Sequence, residues 1–117
     1  EWYPEKTNFV PHSLPQELFY PIADREKAEI RNQTIGPERK DHFVALWVNR
    51  NAKRKRPNDL IWAWKIFMER LQEEEGHQKA SLVLHTDPND HEGPNLLATA
   101  ESLNLEKNVG KLAHLQT

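Results

Sequence analysis

The run Phe43-Val44-Ala45-Leu46-Trp47-Val48 most restricts what this 117-residue chain can become. A strand with one wet face alternates apolar and polar residues. Six apolar residues in succession instead point to a strand covered on both faces, as in a parallel sheet. Ala80-Ser81-Leu82-Val83-Leu84-His85 reads as a second buried strand. Between them, Leu60, Ile61, Trp64, Phe67, Met68 and Leu71 repeat at helical spacing. Pro57 stands where that helix can begin, since a first-turn residue has no use for its N–H. Gly76, after Glu73-Glu74-Glu75, stands where it can end, although three acids there oppose the helix dipole. After a polar turn from Thr86 to Gly93, Pro94 is placed to open another helix carrying Leu96, Leu97, Ala100 and Leu103. Strand, helix, strand, helix at this spacing is an α/β pattern: a β-α-β-α unit with a small parallel sheet. Leu105 and Val109 suggest a further element, and another strand is expected soon after Val109.

The flanking segments are less regular. Pro4, Pro11, Pro15 and Pro21 forbid a helix over residues 1–22, which reads as an extended lead-in within a single domain spanning 1–117. Thr7-Asn8-Phe9-Val10 is a short strand candidate that Pro11 ends. Residues 24–35 suit a surface helix with Asp24 as N-cap, a thin apolar stripe of Ala28, Ile30 and Ile35, and Gly36-Pro37 as its stop. Few central-type strands leave edges uncovered, so the pattern implies either pairing of two copies or membership of a longer sheet.

Composition removes several classes. The chain has no cysteine, which excludes disulfides, thiolate zinc sites and cysteine nucleophiles. No apolar stretch approaches the roughly 20 residues of a membrane span, and the charged start lacks a secretory h-region. A cytoplasmic location is the expectation. The balance of 18 acidic against 16 basic residues exerts no overall pull toward nucleic acid or anionic lipid.

Two loops concentrate the polar chemistry. Arg50, Lys53, Arg54, Lys55 and Arg56 place five cations within seven residues, directly after the first strand. Ligands of open α/β sheets bind at the carboxyl ends of the strands, and the dipole of the following helix points into the same crevice. Arginine offers a planar fork to phosphate oxygens and lysine a point charge. The loop therefore suits a phosphate-bearing ligand; a merely solvated basic loop is the plain alternative. A nucleic-acid patch with Trp47, Trp62 and Trp64 is disfavoured, because Trp64 lies on the helix's core stripe. The second loop, His85-Thr86-Asp87-Pro88-Asn89-Asp90-His91-Glu92-Gly93-Pro94, also leaves a strand's carboxyl end and faces the same crevice. Its His and acidic residues resemble metal ligands, but such residues are common in loops. An Asx turn, with Asp87 capping the next helix, explains them without a metal. A Ser13–His85–Asp87 triad is set aside for want of a G-x-S-x-G elbow. Neither G-x-G-x-x-G nor Walker A is present. Asn32-Gln33-Thr34 is a glycosylation sequon that matters only in a secreted chain.

These residues together carry a resemblance. Val10-Pro11-His12-Ser13-Leu14-Pro15-Gln16-Glu17-Leu18-Phe19-Tyr20-Pro21 resembles the motif [IV]-P-N-G-[VI]-D-x-x-x-F-x-P. A buried strand, Asn49-Arg50 in place of G-R, Lys55 five residues later, a helix and a second buried strand follow in the matching order. The chain thus resembles, from about residue 9 to 109, the nucleotide-sugar-binding half of retaining glycosyltransferases of the group 1, glycogen synthase-like (family 4) type with the GT-B fold. The resemblance implies an incomplete Rossmann-like three-layer α/β/α unit. It implies that Arg50 and Lys55 bind the donor's diphosphate, with Asn49, His85, Thr86 and Asp87 lining the pocket. It also implies that no metal or separate cofactor takes part, the nucleotide-sugar being the donor substrate. Asn49, Arg56, Ser13 and Pro15 depart from the family pattern. The family's E-x7-E motif has no counterpart here and is expected beyond Thr117, and the acceptor-binding domain is not represented. The expectation is a donor-binding section of a larger enzyme, inactive by itself. The alternative is a self-associating α/β interaction module without catalytic activity.

Overall fold

The computed structural model describes residues 3–105 and the backbone of residues 112–114. It is a mixed α/β structure. Three helices, α1 (Asp24–Ile35), α2 (Pro57–Glu75) and α3 (Leu96–Ser102), accompany strands β1 (Phe43–Val48), β2 (Ala80–His85) and β3 (Leu112–His114). The sheet order is β1-β2-β3. Both pairings are parallel, with Phe43 opposite Ala80, Val48 opposite His85, and Leu82 opposite Leu112. A strand therefore does follow the Val109 region; Val109 itself lies outside the described residues. Among the described residues, no helix is long and apolar enough to cross a membrane.

The core forms on one face of the sheet. Ile61, Trp64 and Met68 of α2 and Leu96 and Ala100 of α3 pack with Ala80, Leu82 and Leu84 of β2. Ala45 and Trp47 of β1 join this cluster from the side. The register explains the selection. Ala45 lies opposite Leu82 and Trp47 opposite Leu84, so all four project from one face. Full burial of a Leu, Ile or Met side chain contributes about 1.5–3 kcal/mol, which makes this cluster the main stabilising term. Trp64 stacks obliquely on Phe67, with ring centroids 5.0 Å apart.

The opposite face is where the sequence expectation fails. β2 is buried on both faces, but β1 is not. Leu46 is 63% exposed and Val48 60%. α1 covers this side only in part, through Ile35, its single buried residue. Ile30, Ile35, Val44, Leu46 and Val83 line an apolar depression of about 330 Å³ between α1 and the sheet. Continuous apolarity marks two apolar faces without providing an element to cover each.

Element ends also differ in places. Pro57 occupies the first turn of α2, and Gly76 ends it in the left-handed region at φ 71°, as the sequence suggests. Asp24 is not the N-cap of α1; Ala23 holds that position without a side-chain bond. α3 begins at Leu96, and Asn95 caps it by accepting the Ala98 N–H at 2.9 Å. Thr7–Val10 is not a strand; a short 3₁₀ turn over Pro4–Lys6 precedes exposed, irregular chain with a turn over residues 15–19.

Candidate functional site

Because Val48 pairs with His85, the two polar loops leave the sheet side by side from the carboxyl ends of parallel strands. Three sets of contacts weld them together. Arg50 reaches across to Asp90: Nε donates to Oδ2 at 2.7 Å and Nη2 to Oδ1 at 3.2 Å. Its Nη1 lies 3.2 Å from Glu92 Oε2. Asn51, fully buried, donates from its side-chain amide to the carbonyls of Pro88 (3.3 Å) and Pro94 (2.8 Å). The Lys53 N–H donates to the Glu92 carbonyl at 3.0 Å. Gly93 completes the joint. A Cβ there would overlap Asn51 Oδ1 and the Asn51 carbonyl, so only glycine allows this approach.

The electrostatics follow from the pairing. Asp90's carboxyl is held below its ordinary value, first by the Arg50 hydrogen bond and then by the Glu92 backbone N–H. Reciprocally, the Asp90 hydrogen bond and charge, aided by Glu92, raise Arg50 above its ordinary value. Arg50 is thus permanently cationic.

The other anticipated residues are placed as follows. Asn49 sits at the end of β1, where its Oδ1 accepts the Arg50 N–H at 3.1 Å. Lys55 lies in a 3₁₀ turn over Lys53–Lys55, exposed and without an ion pair among the described residues. Asp87 Oδ1 accepts the Asn89 N–H at 2.9 Å, which is an Asx turn. Asp87 does not cap α3, since Asn95 has that role. His85 and Thr86 are half-buried beside it, and their Nδ1 and Oγ1 atoms have no hydrogen-bond partner. Among the described residues, no group of His, Cys, Asp and Glu is arranged to hold a metal ion. Trp64 is buried in the core, where it packs on Phe67 and presents no face to a nucleic-acid base.

Beside the welded loops, the first turn of α2 opens a depression of about 380 Å³ lined by Lys53, Arg56, Asn58, Gly93 and Pro94. Arg56, at φ 50°, is the residue before α2 and pairs with Asp59. Cations of the basic run thus face both the inter-loop joint and the helix start. Sequence reasoning missed Asn51 and Gly93. Asn51 stands among charged residues, and its carbonyl partners lie 37 and 43 positions away. The one hint was a glycine directly before Pro94 in a chain with four glycines.

Comparison with protein-family models, with curated proteins and with solved structures finds no match.

Proposed function

We propose that this chain is the donor-binding part of a retaining glycosyltransferase, built as a Rossmann-like unit, with Arg50 and Lys55 holding the diphosphate of a nucleotide-sugar. The observation that carries this reading is the joint itself. Two loops from adjacent parallel strand ends converge, and one of them bears five cations beside the start of a 19-residue helix. The ordered motif resemblance over residues 9 to 109 supports the same assignment. Chemically, transfer breaks the bond between the sugar's anomeric carbon and the diphosphate. Negative charge develops on the departing diphosphate, and fixed cations lower the barrier by stabilising it there. Arg50 suits this role because its charge is permanent and its position is fixed by the neighbouring loop. Lys55 supplies a mobile point charge. Asn49, His85, Thr86 and Asp87 lie at or just after the same strand ends, and the reading assigns them to the border of the nucleotide.

Isothermal titration of the chain with nucleoside diphosphates tests the assignment. The Arg50→Ala/Lys55→Ala variant is expected to bind at least about tenfold more weakly, since each hydrogen bond to a charged group contributes about 1.5–3 kcal/mol. Equal binding by both proteins removes the proposed role.

A second reading has one specific observation in its favour. β1 lies at one end of the sheet order, and Leu46 and Val48 on it are exposed next to an apolar depression. Two copies pairing through this edge and face form a self-associating module. Such pairing is compatible with donor binding at the other end of the strands.

A further inference from the structure

Arg50 has five N–H donors, and two of them make hydrogen bonds to the neighbouring loop. Asp90 takes the side fork, Nε and one hydrogen of Nη2, while Glu92 Oε2 lies 3.2 Å from Nη1 as an ion pair. Three donors are left over, one on Nη2 and two on Nη1. The two carboxylates are held very differently. Asp90's side chain is 12% exposed, and its Oδ1 also accepts the Glu92 N–H at 3.0 Å. Its carbonyl accepts the Gly93 N–H at 3.0 Å. Moving Asp90 therefore dismantles the turn. Glu92's backbone is pinned by Asp90 and Lys53, but its side chain is 51% exposed, and Arg50 is its one ion-pair partner among the described residues. It can swing away with no other bond broken. The exposed pair is also the weak one, because water screens it.

We propose that Asp90 is a positioning residue that anchors and orients Arg50, whereas Glu92 is a displaceable carboxylate that competes with a phosphate-bearing ligand for the same guanidinium. This inference rests on the diphosphate-binding role given to Arg50 above. An incoming diphosphate carries more charge and more acceptor oxygens than a carboxylate, so it displaces Glu92 from beside Nη1 and takes the three unused donors. Asp90 remains in place and keeps the fork aimed outward. Glu92 thereby sets the threshold for occupancy, disfavouring singly charged anions more than a diphosphate.

The two variants separate anchoring from plain electrostatics. If the acids acted only as unfavourable charges near an anion site, removing either would tighten binding. Anchoring by one and competition by the other predict opposite signs. Inorganic pyrophosphate is titrated against the full chain, Glu92→Gln, Asp90→Asn and Arg50→Ala, and the Arg50 Nε–H resonance is followed by NMR. Glu92→Gln is expected to bind pyrophosphate about two- to fivefold tighter than the unaltered chain, the range of an exposed ion pair. Asp90→Asn is expected to bind more weakly and to lose the protected Nε–H signal, which Glu92→Gln retains. Glu92→Gln equal to or weaker than the unaltered chain overturns the inference, as does tightening by Asp90→Asn. Should Asp90→Asn fail to fold, Asp90→Glu takes its place: with the charge kept and the fork displaced, anchoring predicts weaker pyrophosphate binding and a lost Nε–H signal, and unchanged binding overturns the inference. Weakening by Arg50→Ala with no change in Glu92→Gln overturns this inference but leaves the diphosphate reading standing. No weakening by Arg50→Ala, or no binding by any of the four proteins, overturns both.

Discussion

Gly93 and Asn51 hold the joint at the level of single residues. Glycine at 93 leaves room for the Asn51 carbonyl and side chain, and Asn51's amide serves the carbonyls of Pro88 and Pro94, the former also accepting the Leu96 N–H. Gly93→Ala is therefore expected to destabilise the chain by about 1–3 kcal/mol through overpacking, read as a shift of the urea midpoint at unchanged slope. Acid dependence belongs to this scale as well. Asp90's carboxyl titrates below its ordinary 3.8 in the folded chain because Arg50 bonds its charged form. A depressed folded value means that its contribution is complete above the unfolded value and disappears as pH falls through the folded one. Stability due to Asp90 should be constant from pH 7 to 5 and decline below about pH 4. The Asp90→Asn variant should lack that part of the decline. None of this was legible in the sequence beyond the presence of the loop acids. A run of Arg and Lys shows where charge is, but the partner of Arg50 is 40 residues distant and only the parallel register brings it near.

Secondary-structure elements were more legible, because their signals are local. Pro57 and Gly76 bracket α2 through backbone chemistry that needs no tertiary context. Of the stripe Leu60, Ile61, Trp64, Phe67, Met68 and Leu71, the structure buries Ile61, Trp64 and Met68 in the core and packs Leu60 and Leu71 against it, while Phe67 stays exposed. Met68→Ala is expected to cost about 2–5 kcal/mol, as for other fully buried large side chains, in a denaturation experiment. The α3 start was misjudged because Pro94 carries a strong helix-start signal, yet Asn95 can cap and proline cannot. Asn95→Ala should cost about 1 kcal/mol in the same assay. For β1 the apolar run correctly marked a strand and misjudged its covering. Covering is a property of the neighbouring element, and α1 offers little beyond Ile35. Arg31 fastens α1 to the chain just before β1, donating to the carbonyls of Lys40 and His42, so the helix is tethered at its polar side.

At the scale of the whole molecule, the sheet has two unlike ends. The carboxyl ends of β1 and β2 carry the welded loops with their cations, while the outer face of β1 is apolar and open. If that face pairs two copies, Leu46→Glu should lower the sedimentation coefficient at high concentration toward that of a monomer, with little change in stability because the side chain is already exposed. An unchanged, concentration-independent coefficient in both proteins argues against pairing there. The α/β class and the convergence of the two polar loops at the carboxyl strand ends were readable from the order of segments, whereas the open outer face of β1 was not, since covering depends on the neighbouring element. At the polar end, the role proposed for the cations after β1 is to hold a diphosphate. Amide chemical-shift mapping during titration with a nucleoside diphosphate tests it most directly. Saturable shifts confined to residues 49–57 and 86–94, absent in Arg50→Ala/Lys55→Ala, are the expected result. Shifts centred on α1 and the outer face of β1, or none at saturating ligand, would contradict it.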